Sequence, residues 1–384
     1  MRYIVVLGIG GLVTVLLITL LLRADRESTM PPSDGRNPVP PGHVEMWIDQ
    51  AELQSIPKRG SGWQQLKSEA DEDWGRARVA DNNSDHDVSA LAGALVFARL
   101  HPAGSAEPYR AKVADALISA IGTEGGSADT SLGRNLSSYI IAADLINFPT
   151  YDPEREARWR EWLVSLLDMK VDHMTLAERH ETILNNHGTM SGGSRIASAI
   201  YLGDVAELER AATVFRGWLG DLSVYDGFSY PADLDWFCDP DRLTGINERG
   251  CTKTIDGAKR NIDGVLPAEQ FRAGPVTWPP SKTNYVWGGL QGATMQAELL
   301  RRQGFDVLTW ADSALLRTFD RLWNWEQNFG GWWGDGGSAD SAHVPALATF
   351  WYGDRRDWPQ FENAGKGKNY GWTEWTHGTR TASN

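Results

Sequence analysis

Apolar residues recur three and four positions apart along most of the chain, the spacing that predicts helices. Val88, Leu91, Leu95, Val96 and Leu100 follow the capping candidates Asp85 and Asp87 and stop before Pro102. Pro108 opens a second segment, with Val113, Leu117, Ile118 and Ile121 on one face and Gly122 as terminator. Leu136, Ile140, Ile141 and Leu145 make a third, which ends before Pro149. Asp152 then reads as an N-cap with Pro153 at the first helical position, followed in period by Trp159, Leu163, Leu166 and Leu167. Residues 196–202, 205–219, 290–302 and 308–325 continue the pattern. No comparable series of alternating β-branched strands occurs. Helical hairpins in such succession favour an all-α fold of the α/α-toroid kind.

Two stretches at the start depart from this pattern. Ile4–Leu22 holds no charged residue and lies between Arg2 and the cluster Arg23, Asp25, Arg26 and Glu27. At ~1.5 Å per residue such a helix nearly crosses a hydrocarbon layer of ~30 Å. No small-residue cleavage site follows at the right distance, so residues 1–26 are expected to be a retained signal anchor, with a cleaved signal peptide as the alternative. Residues 27–44 are proline-rich and read as a tether. Residues 45–384 then form one domain.

Composition narrows the function. The chain has 50 acidic against 37 basic residues, a formal charge of −13, which argues against a nucleic-acid partner. Its 18 tryptophans suit either a rigid core or a cleft that stacks sugars. Cys238 and Cys251 bracket a run of turn formers that a disulfide would staple in an oxidising compartment; two unrelated buried thiols are the plainer alternative. The bridge and a location outside the cytoplasm are the expectation. Eight histidines occur without an i, i+4 ligand pair, so neither a metal nor another cofactor is expected.

Three polar segments stand apart from the helical background. Residues 183–189 place Asn185, Asn186 and His187 in succession just before a helix of small residues, either as a capping segment or as amide donors beside a titratable imidazole. Residues 263–272 set Asp263, Glu269 and Arg272 close together, ahead of Trp278, Lys282, Asn284 and Tyr285. Taken alone, Glu269 and Arg272 could be an ion pair that fixes a loop. Residues 365–377 mix Lys366, Lys368, Tyr370, Trp372 and His377 in a glycine-rich stretch.

Together these segments resemble the alginate lyase family that contains the mannuronate-specific bacterial enzymes. Asn-Asn-His before a small-residue helix resembles one family motif. DGVLPAEQFR is similar to another, Asp-Gly, Leu-Pro, Glu and Arg in fixed order, and WADSALLRTFDRL resembles the helix that follows it. GKNYGWTEWTH looks like a closing motif of the wider superfamily. The resemblance runs over roughly residues 90–380 and implies an incomplete α/α toroid.

It also implies β-elimination on a 4-linked uronate polysaccharide, either alginate or a related exopolysaccharide. The C5 proton is acidic enough to leave only when the adjacent carboxylate is neutralised, the logic of an oxyanion hole. On the resemblance Asn186 and Arg272 neutralise, and His187 takes the proton as a neutral imidazole. A tyrosine protonates the leaving oxygen, or acts as both base and acid. That tyrosine normally comes seven residues after the arginine, where this chain has Pro279. Tyr285 is the nearest hydroxyl after a short insertion, with Lys282, Tyr230 and Tyr370 as competitors.

Asn185, Arg134, Trp278, Lys282, Lys368, Tyr370 and Trp372 are expected to bind substrate. Arg134, Arg272, Lys282, Lys366 and Lys368 should gather at the cleft, because an acidic protein that cuts a polyanion must focus positive charge there. The expected partners are the polysaccharide and, through the anchor, a membrane; the protein is expected to be a monomer. Two other classes compete. One is a hydrolase using paired carboxylates such as Asp263 and Glu269. The other is a tethered component that binds or exports the polymer without cutting it.

Overall fold

In a computed structural model the pattern of apolar spacing becomes twelve helices of six or more residues among the described residues. These residues are 45–126, 130–230, 234–333, 343–353, 356–359, 361 and 366–378, all within the unit Val39–Asn384. The anchor over 1–26 and the tether over 27–44 lie outside them. Among the described residues no helix is long and apolar enough to cross a membrane.

The helices are α1 Gln50–Ser55, α2 Ser61–Asp71, α3 His86–Leu100, α4 Glu107–Ala120, α5 Ser131–Leu145 and α6 Pro153–Leu167. They continue with α7 Leu176–Thr182, α8 Asn186–Leu202, α9 Val205–Leu219, α10 Tyr285–Arg302, α11 Trp310–Phe329 and α12 Val344–Tyr352. Local chemistry sets many of the ends. The Asp152 carboxylate accepts from the Arg155 N–H at 3.1 Å, so the expected cap with Pro153 forms. Asp204 caps α9 through the Glu207 N–H, and Thr175 and Glu178 close a capping box on α7. One antiparallel hairpin, Thr252–Ile255 with Ala258–Asn261, interrupts the helices. Asp256 and Gly257 at its tip both take positive φ, the two-residue turn that suits strand twist.

Helices α3, α5, α8 and α10 form a row in which each packs on the next, while α2, α4, α7, α9 and α12 lie against that row. The row is buried on nearly every side: residues 188–201 of α8 and all but Gly288 of residues 286–300 of α10 are inaccessible. For helices covered all round, apolar spacing gives the helix but not which face meets which neighbour. Small side chains let the row close up. A Cβ at Gly292 would collide with the backbone of Thr189 and Met190, so α8 and α10 approach there at main-chain distance.

Seven tryptophans, Trp47, Trp159, Trp236, Trp287, Trp325, Trp332 and Trp372, are among the largest fully buried side chains. At these positions the tryptophan abundance therefore builds the core and stacks no sugar. Cys238 and Cys251 form the expected disulfide, with Cα atoms 5.9 Å apart.

Candidate active site

Helix α8 begins earlier than its apolar spacing suggested. Asn185 is its N-cap, with the side-chain oxygen accepting from the His187 N–H at 3.0 Å, and Asn186 and His187 occupy its first turn. The segment before it is extended: Ile183 bridges Ser229 in parallel, and the Ser229 N–H donates to the Thr182 carbonyl at 3.0 Å. This pairing brings Tyr230 alongside. Helix α10 runs parallel to α8, since Gly288 lies by Asn186, Gly292 by Thr189 and Met190, and Met295 by Gly193. Both first turns thus lie at one end.

The Pro267–Gln270 turn and the following Phe271–Ala273 turn carry Glu269 and Arg272 to that same end, three residues apart and on one side. Arg272 Nη1 donates to Asn186 Oδ1 at 2.8 Å and lies 3.5 Å from Glu269 Oε2. Glu269 Oε1 accepts from the backbone N–H of Asn186. The Arg272 guanidinium carbon sits 3.2 Å from the centre of the Tyr285 ring, and Tyr285 is 37% exposed. Residues more than eighty positions apart in sequence are therefore in direct contact. His187 follows Asn186 in the same helical turn.

The buried partner of this group is Glu269, only 1% exposed. Burial pushes its carboxyl up to about 7, against the opposing pull of Arg272 and of the Asn186 N–H. There is no slack around it, because a Cβ on Gly289 would stand 2.8 Å from Oε1. Tyr230 is half-buried and its hydroxyl donates to the Ala268 carbonyl at 2.8 Å. Burial, and then the Glu269 charge, push that phenol up to about 12. The expected Glu269–Arg272 ion pair forms, but the contact of Glu269 with the first turn of α8 is visible only in three dimensions.

Several of the expected binding residues lie elsewhere. Tyr370 is fully buried, with its hydroxyl paired to Thr294, and Trp372 is 2% exposed, with its indole N–H on the Val88 carbonyl at 3.0 Å. Both are core residues, so the sugar-contact expectation for them is corrected, as is the candidacy of Tyr370 as the acid. Lys368 donates to Asp85 at 2.6 Å, and Lys366 reaches Glu69 at 3.2 Å and Asp85 at 3.7 Å. None of these partners belongs to the Asn186–Arg272 group, and the two lysine charges are matched locally. Gly365 lies outside the described residues. Arg134, in the first turn of α5, donates to the Asn82 carbonyl at 3.1 Å; Asn82 also lines an open groove of about 1350 Å³ with Arg76 and Arg78.

Trp278 is half-buried, packed on Phe329 at 5.7 Å and overlain by Arg260 at 5.1 Å. Lys282 is exposed, near Gly331. Asp263 binds Arg317 and accepts from the Gly250 N–H at 2.9 Å, so it is committed to holding a loop. Among the described residues no group of three or more His, Cys, Asp or Glu is placed to hold a metal ion.

An arginine at the positive ends of two parallel helices, with an amide and a phenol beside it, is suited to holding a carboxylate. The alginate lyase family model matches residues 113–234, about a third of the chain, a span that takes in Asn185, Asn186 and His187 and ends before Glu269, Arg272 and Tyr285. No curated protein and no solved structure gives a significant match. The match of residues 113–234 to the alginate lyase family indicates that the chain is an enzyme of the polysaccharide lyase class.

Proposed function

We propose that the protein cleaves a 4-linked uronate polysaccharide by β-elimination, with polymannuronate or a related glucuronate-containing polymer as substrate. The observation that carries this reading is the Arg272 guanidinium held on Asn186 at 2.8 Å and laid over the Tyr285 ring at 3.2 Å. The substrate carboxylate approaches Arg272 and Asn186. Their hydrogen bonds lower the electron density at C5 and stabilise the enolate-like intermediate as its charge grows. His187 or Tyr285 removes the C5 proton, the C4–O bond breaks, and the leaving oxygen takes a proton from Tyr285. Tyr285 is preferred to Tyr230 because it is the more exposed of the two, and the Tyr230 hydroxyl is engaged with a carbonyl. Lys282, three residues earlier on the exposed approach to α10, remains the second choice for that proton.

The row of inner helices supports an incomplete toroid with this site at its N-terminal end. The Cys238–Cys251 bridge supports an extracytoplasmic location, and Ile4–Leu22 supports attachment to the membrane through residues 1–26. The test is incubation of the full chain with polymannuronate, polyguluronate and glucuronan, followed by ultraviolet absorbance of the unsaturated product. Reducing ends without absorbance would mean hydrolysis. Binding without either would mean a carrier.

A further inference from the structure

We propose that Glu269 is a positioning residue that competes with the substrate carboxylate for Arg272 and takes up a proton when a uronate binds. This inference rests on the lyase reading and adds a regulatory consequence to the same site. One oxygen of Glu269 faces the Asn186 N–H and the other lies 3.5 Å from Arg272, so a single acid grips two of the groups assigned to the substrate. The carboxyl is 1% exposed and wedged against Gly289, so it stays desolvated when Arg272 turns to the substrate.

A uronate arriving at Arg272 places a second anion on one guanidinium. Two carboxylates sharing a site do not both stay ionised at low cost, and the buried one protonates. The titratable and charged groups around Glu269 bear this out. Arg272 comes from its own turn and Tyr230 from the segment beside Thr182. Helix α8 presents a backbone N–H with His187 next in the turn, and α10 presents Gly289 at the contact. Tyr285 covers Arg272 from outside. Arg272 is the only cation in direct contact with Glu269 among the described residues. With the free carboxyl at about 7, proton uptake is largest just above neutrality, and affinity for the uronate falls as pH rises past that point.

The probes are methyl mannuronoside and methyl glucuronoside, which present the carboxylate without a glycosidic bond at C4 to break. Calorimetric titration of the full chain in two buffers of different ionisation enthalpy counts the protons taken up. At pH 8 the parent should take up a fraction approaching about one proton per uronoside bound. Glu269→Gln should take up none, and its affinity should stay flat between pH 6 and 9. Glu269→Asp, which keeps the charge on a shorter arm, should retain uptake and serves if the glutamine variant fails to fold.

Uronoside binding with no uptake in the parent overturns the proposal. Equal uptake in Glu269→Gln overturns it too, and assigns the proton to another group such as His187. Ultraviolet-absorbing product from polymer, measured in parallel, shows whether the lyase reading survives such a result. Absence of both binding and product removes the two together.

Discussion

Two clusters of charge in this molecule use similar residues to opposite ends. Around Arg272, one arginine faces a single buried acid whose carboxyl stands at about 7, and it keeps an aromatic ring and an amide at its side. Around Lys368, two lysines meet Glu69 and Asp85, with the buried Asp87 and Arg134 nearby. The first cluster leaves positive character at the ends of two helices. The second spends its lysines on neighbouring carboxylates. A basic residue on a glycine-rich segment is therefore no sign of a polyanion site until its acidic neighbours are counted.

The sharpest way to break this contrast is Arg272→Ala. It should lower kcat on a cleaved uronate polymer by roughly 10²–10³, as for the loss of an oxyanion donor, with the fold intact by circular dichroism. An unchanged kcat would place the neutralising group elsewhere. Tyr285→Phe, which keeps the ring under the guanidinium, should cost about 10² in kcat through loss of the proton donor and leave KM nearly unchanged. If Lys282→Ala produces that loss instead, the acid is the lysine.

The second cluster should answer in stability and leave turnover alone. Burial raises the Asp87 carboxyl to about 7, against the pull of its own backbone N–H and of Arg134. A raised carboxyl means the folded state holds more protons than the unfolded one between the two pKa values. The stability that this group contributes is therefore complete at low pH and lost as pH rises through about 7. Asp87→Asn should flatten that part of the pH profile of Tm, and an unaltered slope would show that another group is responsible.

Smaller still is Lys368→Ala. Its partly buried pair with Asp85 should cost about 1 kcal/mol in stability, with kcat within twofold of the parent. Lys366→Ala, on the more exposed pair, should change neither quantity measurably. A clear rise in KM that salt suppresses would return Lys366 to the substrate path.

Much of the fold was legible because apolar spacing marks the helices of the central row, α3, α5 and α10, as well as those packed against it. Asp152 with Pro153, the Pro102 stop and the Gly122 terminator needed only local chemistry. The start of α8 was less legible, since Asn186, His187 and Gly188 are poor helix formers. They enter the helix because Asn185 caps it and α10 packs close against it. The hairpin at Thr252–Ile255 was missed because its strands are short and mostly polar, so alternation never accumulates.

The candidate site divides in the same way. The sequence by itself determined the helical class and the residues of the Asn-Asn-His and Asp-Gly-Val-Leu-Pro motifs, and with only two cysteines it offered one possible intramolecular bridge, which the structure forms. Tertiary structure decided which polar residues meet. Glu269 became a buried partner of Asn186 by packing two helices at glycine distance, an event spread over more than eighty residues of chain. Tyr370 and Trp372 became core through contacts with Thr294 and Val88, which no local spacing announces. Residue type records what a side chain can do, whereas burial and the charges brought beside it determine what it does.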